Sequence, residues 1–181
     1  MVQKGIFILI NLIFGSMVLL SYYYGLEKLK SMDKDPSVLW GGVPEILQPG
    51  IIVFMFIGAI GYFLFTYNFL FNVSTDKLFL GKFSYSNLHL LYLLVFIPSM
   101  VWIGLTIDYV DSQKSIFDWT VLVLVLFTVA ASSVMLLLFT IDLKSESGSM
   151  YLVYVVGAAF FAFHTLFLDA LLWTSFFHRA N

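Results

Sequence analysis

Residues 46–75 read ILQPGIIVFMFIGAIGYFLFTYNFLFNVST, and no charge falls between Glu45 and Asp76. A helix rises about 1.5 Å per residue, so about 20 apolar residues suffice to cross the hydrocarbon core of a bilayer. This run is longer than that. It is continuously apolar and does not alternate with a period of two, which excludes a membrane-barrel strand. Hydrocarbon offers backbone groups no hydrogen bonds, so a run of this kind satisfies its amides and carbonyls as a helix. Pro49 falls where that helix would begin, at a first-turn position that needs no amide donor.

The pattern recurs along the chain. Charge-free gaps span residues 5–26, 46–75, 83–107, 119–141 and 147–177, the last interrupted only by His164 and Asp169. The fold class expected is all-α: an integral membrane bundle of five transmembrane helices. The spans are placed at about 5–25, 49–73, 86–107, 118–141 and 149–177 of a single domain, 1–181. Composition agrees. Of 181 residues, 61% are hydrophobic and 11% charged, against about 45–50% and about 25% in a soluble domain. The lipid bilayer is thus the first expected partner. A net charge of -2 provides no basic field for nucleic acid. The lack of cysteine excludes disulfides, thiolate nucleophiles, Cys-ligated zinc and iron–sulfur clusters.

Local signals punctuate the spans. Ser115-Ile-Phe-Asp118 reads as a capping box for the fourth, and Ser147-Gly148-Ser149 as a turn and cap before the fifth. Pro98 lies inside the third and removes one amide, which predicts a kink beside Leu94. Tyr22-Tyr23-Tyr24 occupies the place where small residues would precede a cleavage site, so the first stretch reads as a retained span. The connection from Glu27 to Gln48, with Pro36, Gly41, Gly42 and Pro44, reads as a structured loop. Orientation is undecided. Lys4, Lys77, Lys82 and Lys144 fall on one side, and Lys28, Lys30, Lys34, Lys114 and Arg179 on the other, too even for the positive-inside rule.

Asp169 is the most informative residue, because an ionised carboxylate inside a span costs about 2.5–3.5 kcal/mol on insertion scales. Ala158, Ala162, Thr165, Asp169 and Trp173 follow at helical spacing and form a small-residue face. That face should pack inside the bundle, where Asp169 either pins helices together or handles a ligand or proton. His164 stands five residues earlier. In an α-helix that is a rotation of about 140°, so the two are not expected to share a face or form a dyad. His164 reads as a core histidine or, alternatively, a haem ligand. His89 would be its partner, but it lies near one end of the third span, which argues against bis-His haem. Gly58, Gly61, Phe65, Asn68 and Asn72 make a packing face on the second span. Asn11, Gly15, Val18 and Tyr22 do so on the first, and Ser132-Ser133 on the fourth. Asn72-Val73-Ser74 matches a glycosylation sequon at the membrane edge. Asp108, Asp111 and Asp118 flank a short loop and read as solvated rather than cation-binding. No paired carboxylates, nucleophile–base pair or phosphate loop can be assembled.

Three stretches together resemble the TspO/translocator-protein (peripheral benzodiazepine receptor) family. Asp35-Pro36-Ser37 with Trp40 looks like its Pro- and Trp-rich first loop, Gly58-Ala-Ile-Gly61-Tyr62 like its second helix, and Pro98-Ser99-Met-Val-Trp102 like its third. The layout of five spans in about this length also matches. The full Pro-x-Trp-x-Pro-Pro run is absent, and Asp169 and Trp173 stand where that family carries asparagines. The resemblance implies an aromatic pocket for a haem-like tetrapyrrole or a sterol-like ligand, and it does not imply an enzyme.

The leading functional expectation is a membrane receptor or carrier for a lipophilic small molecule, with Trp102, His164, Asp169 and Trp173 lining an intramembrane pocket. The alternative is a non-catalytic accessory subunit of a larger membrane complex, or a homodimer. A third is a membrane-embedded enzyme or proton-coupled transporter using Asp169, although five spans without a repeat argue against a complete transporter.

Overall fold

The computed structural model describes residues 2–111 and 115–178. Four helices form the first four spans: α1 (Val2–Ser31), α2 (Gln48–Phe71), α3 (Ser86–Asp111) and α4 (Ile116–Ile141). The fifth span is composite. A 3-10 turn, Gly148–Met150, leads into α5 (Tyr151–Phe163), then a π-helical segment, His164–Trp173, and finally α6 (Thr174–Phe177). Five helical stretches are long and apolar enough to cross a membrane, matching the expected bundle. Its outer surface is studded with Leu12, Leu19, Phe56, Phe63, Leu124 and Leu152, all exposed. Such a surface would be unfavourable in water and is ordinary against lipid tails.

α2 lies along α5. α3 lies between α1 and α4, and α4 also packs on α5 and the π-helical segment. α1 and α2 pack little on each other. A hydrogen bond from the Tyr62 hydroxyl to Asn11 Oδ1 joins them. The α2–α5 crossing is the closest. A Cβ added to Gly157 would lie 2.9 Å from the Gly61 Cα, and one on Gly61 would strike the Gly157 carbonyl. Only glycines allow the two backbones this approach. The second-span face read from sequence is thus a packing face, with Gly58, Gly61, Phe65 and Asn68 all buried. Pro49 sits in the first turn of α2, and α3 runs through Pro98 in one piece.

Polar ties close both ends. On the side of the first connection, a 3-10 helix, Pro36–Trp40, is capped by Asp35, whose carboxylate accepts from Ser37 N at 2.8 Å. That bond holds the Asp35 carboxyl below the usual carboxylate range. Trp173 Nε1 donates to Leu39 O at 2.9 Å, and Gly42 N to Phe177 O at 3.1 Å. Gly41 has φ 53°, and a side chain there would collide with the Phe177 backbone. The long loop is therefore the structured cap expected, seated on the end of the fifth span. Asp108 pairs with Lys28 at 2.5 Å and Asp111 with Lys34 at 2.7 Å, so two of the three loop carboxylates are spent on lysines. Lys114 and Arg179 lie outside the described residues.

At the opposite end, buried Asn68 donates to Ser147 Oγ at 2.8 Å and accepts from Asn72 Nδ2 at 2.9 Å. Ser147 makes no side-chain cap to the turn that follows, which corrects the sequence reading: its hydroxyl is taken by Asn68 from another helix. The sequon Asn72 belongs to the same network, reaching Tyr154 OH at 3.4 Å. Ser115 does cap α4, accepting from Phe117 N at 3.2 Å. Lys77 bridges Glu146 at 2.9 Å and Asp142 at 3.8 Å, fastening the second connection to the fourth.

Candidate functional site

The fifth span carries the chain's one intramembrane acid, and its backbone changes register just before it. A π-helix closes i→i+5 bonds, so residues five apart stand nearly one above the other. From His164 to Trp173 the chain follows that winding. His164 Nε2 and Asp169 Oδ2 accordingly lie 3.4 Å apart. The expectation that they could not share a face was built on α-helical rotation, and the wider turn overturns it. Hydroxyls attend both ends of the segment. Thr165 Oγ1 donates to Phe161 O at 3.1 Å, Thr174 Oγ1 to Ala170 O at 2.5 Å and Ser175 Oγ to Leu171 O at 2.6 Å. These hydroxyls bond carbonyls three or four residues back, the local pattern Ser and Thr adopt inside helices.

Neighbouring helices fix the two side chains. Gly58 of α2 packs against His164, where an added Cβ would lie in ordinary contact, 3.5 Å from the His164 Cβ. Thr165, the next residue, bonds Ser133 of α4 across 2.5 Å, which pins the start of the segment and accounts for the serine pair in the fourth span. His164 is buried, whereas the Asp169 side chain keeps 35% of its surface exposed. Asp169 lies near Tyr22 of α1. The Tyr22 ring meets Trp102 at 5.9 Å, and Trp102 meets Trp173 edge-on at 5.8 Å. Trp119 stacks on Trp173 at 6.1 Å behind them.

The four residues singled out from sequence fall in two contacting pairs, His164 with Asp169 and Trp102 with Trp173. Tyr22 contacts the second pair through Trp102 and lies near Asp169. It was legible as part of the α1 packing face but not as a member of the site. Two polar atoms here are buried without a hydrogen-bond partner among the described residues: Trp102 Nε1 and His164 Nδ1. Such atoms are costly to leave unpaired and mark where a further polar group would be welcome.

The chemistry on offer is a carboxylate, a ring nitrogen, an indole N–H and a phenol beside aromatic faces. Thr165, the hydroxyl next to His164 in sequence, is committed to Ser133 and to backbone carbonyls, so no nucleophile–histidine–acid relay is assembled. No group of three metal-ligating side chains occurs among the described residues. His89 lies among Phe7 and Tyr85 and faces Gln3 O at 3.1 Å, in a different core cluster from the Trp173 end of the bundle. It does not approach His164 as a second axial ligand would.

Two grooves of about 320 and 310 Å³ lie elsewhere, on the outer flank of α2 and α5. The first runs over Ile57, Gly61, Leu64 and Val156, the second over Phe54, Ala159 and Phe163. Their linings are almost wholly apolar and include none of the four site residues. No family model, curated protein or solved structure matches this chain.

Proposed function

We propose that this chain is a membrane-embedded receptor or carrier for a lipophilic ligand, held by its polar end at Asp169 and by its apolar body against Tyr22, Trp102 and Trp173. The observation carrying this reading is the π-helical register. It is a rare winding, frequent at functional sites. Here it delivers a histidine, whose other ring nitrogen is unpartnered among the described residues, to a partly exposed intramembrane carboxylate. An ionisable residue in a span is by default a functional candidate, and aromatic rings around convergent polar groups are the usual make-up of a small-molecule site. The implied tetrapyrrole or sterol class supplies the first probes. Purified protein in lipid nanodiscs, titrated with a porphyrin and with cholesterol, should show saturable quenching or shift of tryptophan emission. Linear, unsaturable partitioning of both would remove this reading.

The accessory-subunit reading is favoured by one specific fact: the Asp169 side chain is only partly buried, which leaves it within reach of a neighbouring helix. Mass in mild detergent separates the two. A monomer that binds probe supports the receptor, and a chain recovered only with a stoichiometric membrane partner supports the subunit.

A further inference from the structure

Asp169 differs from the acids that tie the ends of the bundle in having no lysine or arginine partner among the described residues. At the ends of the spans, Asp108 holds Lys28, Asp111 holds Lys34, and Asp142 and Glu146 share Lys77. Asp169 has His164 alone as an ion-pair neighbour among the described residues, and no Lys or Arg occurs between residues 145 and 178. An acid in low dielectric is stabilised by a nearby positive charge far more than by a neutral ring. The surroundings favour the same sign. The faces of Tyr and Trp rings carry negative potential and attract cations; Tyr22 lies near the carboxylate, and its ring meets Trp102. The buried His164 Nδ1, free of any partner when Nε2–H faces Asp169, presents a lone pair rather than a donor. The carboxylate is reachable, being 35% exposed.

From this geometry we infer that the polar end of the ligand is a cation: the site takes a lipophilic amine, its ammonium group against Asp169 and beside the Tyr22 and Trp102 rings. An anionic amphiphile would meet a carboxylate, and a neutral one would leave the acid uncompensated. The inference rests on the receptor reading above and narrows its ligand class.

The test uses two probes with one body. Cholesterol and its 3β-amino analogue differ at a single position, and the amine is protonated at pH 7. Both are titrated by tryptophan emission into full-length protein in zwitterionic nanodiscs, for the wild type, Asp169→Asn and Asp169→Glu. The amine is expected to bind about tenfold or more tighter than the sterol. That preference should vanish in Asp169→Asn and persist in Asp169→Glu. Equal affinities in the wild type, with saturable binding of both, would overturn the cation while leaving the receptor standing. An amine preference undiminished in Asp169→Asn would overturn the role of this carboxylate. Failure of both probes to saturate would remove the receptor reading and the inference with it. A lysine-bearing transmembrane peptide that binds one-to-one and excludes the amine would overturn the small-molecule occupant in favour of a partner helix.

Discussion

Asp169 and His164 show how one side chain's meaning depends on its neighbour's register. If the carboxylate only pins helices, Asp169→Asn should be nearly silent, because an amide keeps the size and most of the hydrogen bonding. The loss would be about 1 kcal/mol of helix association or less. If it anchors a ligand, Asp169→Asn should fold as wild type, with an unchanged melting temperature, and lose ligand-dependent stabilisation. Comparing melting temperatures with and without saturating probe distinguishes these outcomes. At the bundle's end, Glu146 offers a titration readout. Its hydrogen bond from Lys77 holds its carboxyl below the usual range, and the same bond holds the Lys77 ammonium above its own. A depressed acid contributes stability above its unfolded pKa and loses it as pH falls through the folded value. A raised lysine contributes below its unfolded pKa and loses that as pH rises through the folded one. The pair should therefore act between roughly pH 5 and pH 10 and contribute less than about 1 kcal/mol, since water screens it. Wild type should lose slightly more stability than Glu146→Gln between pH 7 and pH 3.

Among the elements, α2 and α5 depend most on one contact. Any side chain at Gly61 must displace the Gly157 backbone. Gly61→Leu is expected to cost several kcal/mol, in the range of severe overpacking (about 1–3 kcal/mol or more), and to separate the two helices. Gly50, where nothing lies within 4 Å, should accept Ala with little change. Melting of both variants in detergent checks the contrast. The five spans were legible because charge-free runs report helix length directly. Packing faces were legible too: the spacing of Gly58, Gly61, Phe65 and Asn68 marks the buried side of α2. The winding of the fifth span was not. Periodicity of apolar residues cannot announce a π-helix when nearly every residue is apolar, and the α-helical rotation that the sequence implies separates His164 from Asp169. The hydroxyls of Thr165, Thr174 and Ser175 are visible in the sequence, but their bonds to carbonyls four residues back appear only in the structure. Ser147 failed as a cap for a related reason: its partner, Asn68, comes from a helix 79 residues away.

At the scale of the whole molecule, five spans place the termini on opposite faces of the membrane. Tags at each end in sealed vesicles should show one accessible and one protected, and two tags on the same face would contradict the topology. The bundle is tied at both ends by salt bridges and buried amides, while its middle holds a single acid, brought to a histidine by a change of winding. That juxtaposition is the central claim, and it is open to one direct measurement. Protein labelled with ¹⁵N-histidine and ¹³C-aspartate, reconstituted in bilayers, can be examined by solid-state NMR dipolar recoupling between the His164 ring nitrogen and the Asp169 carboxyl carbon. The π-helical register, with 3.4 Å between Nε2 and Oδ2, predicts a strong coupling that disappears in His164→Gln. A pair that shows no coupling, as α-helical rotation through this segment would give, would contradict the account.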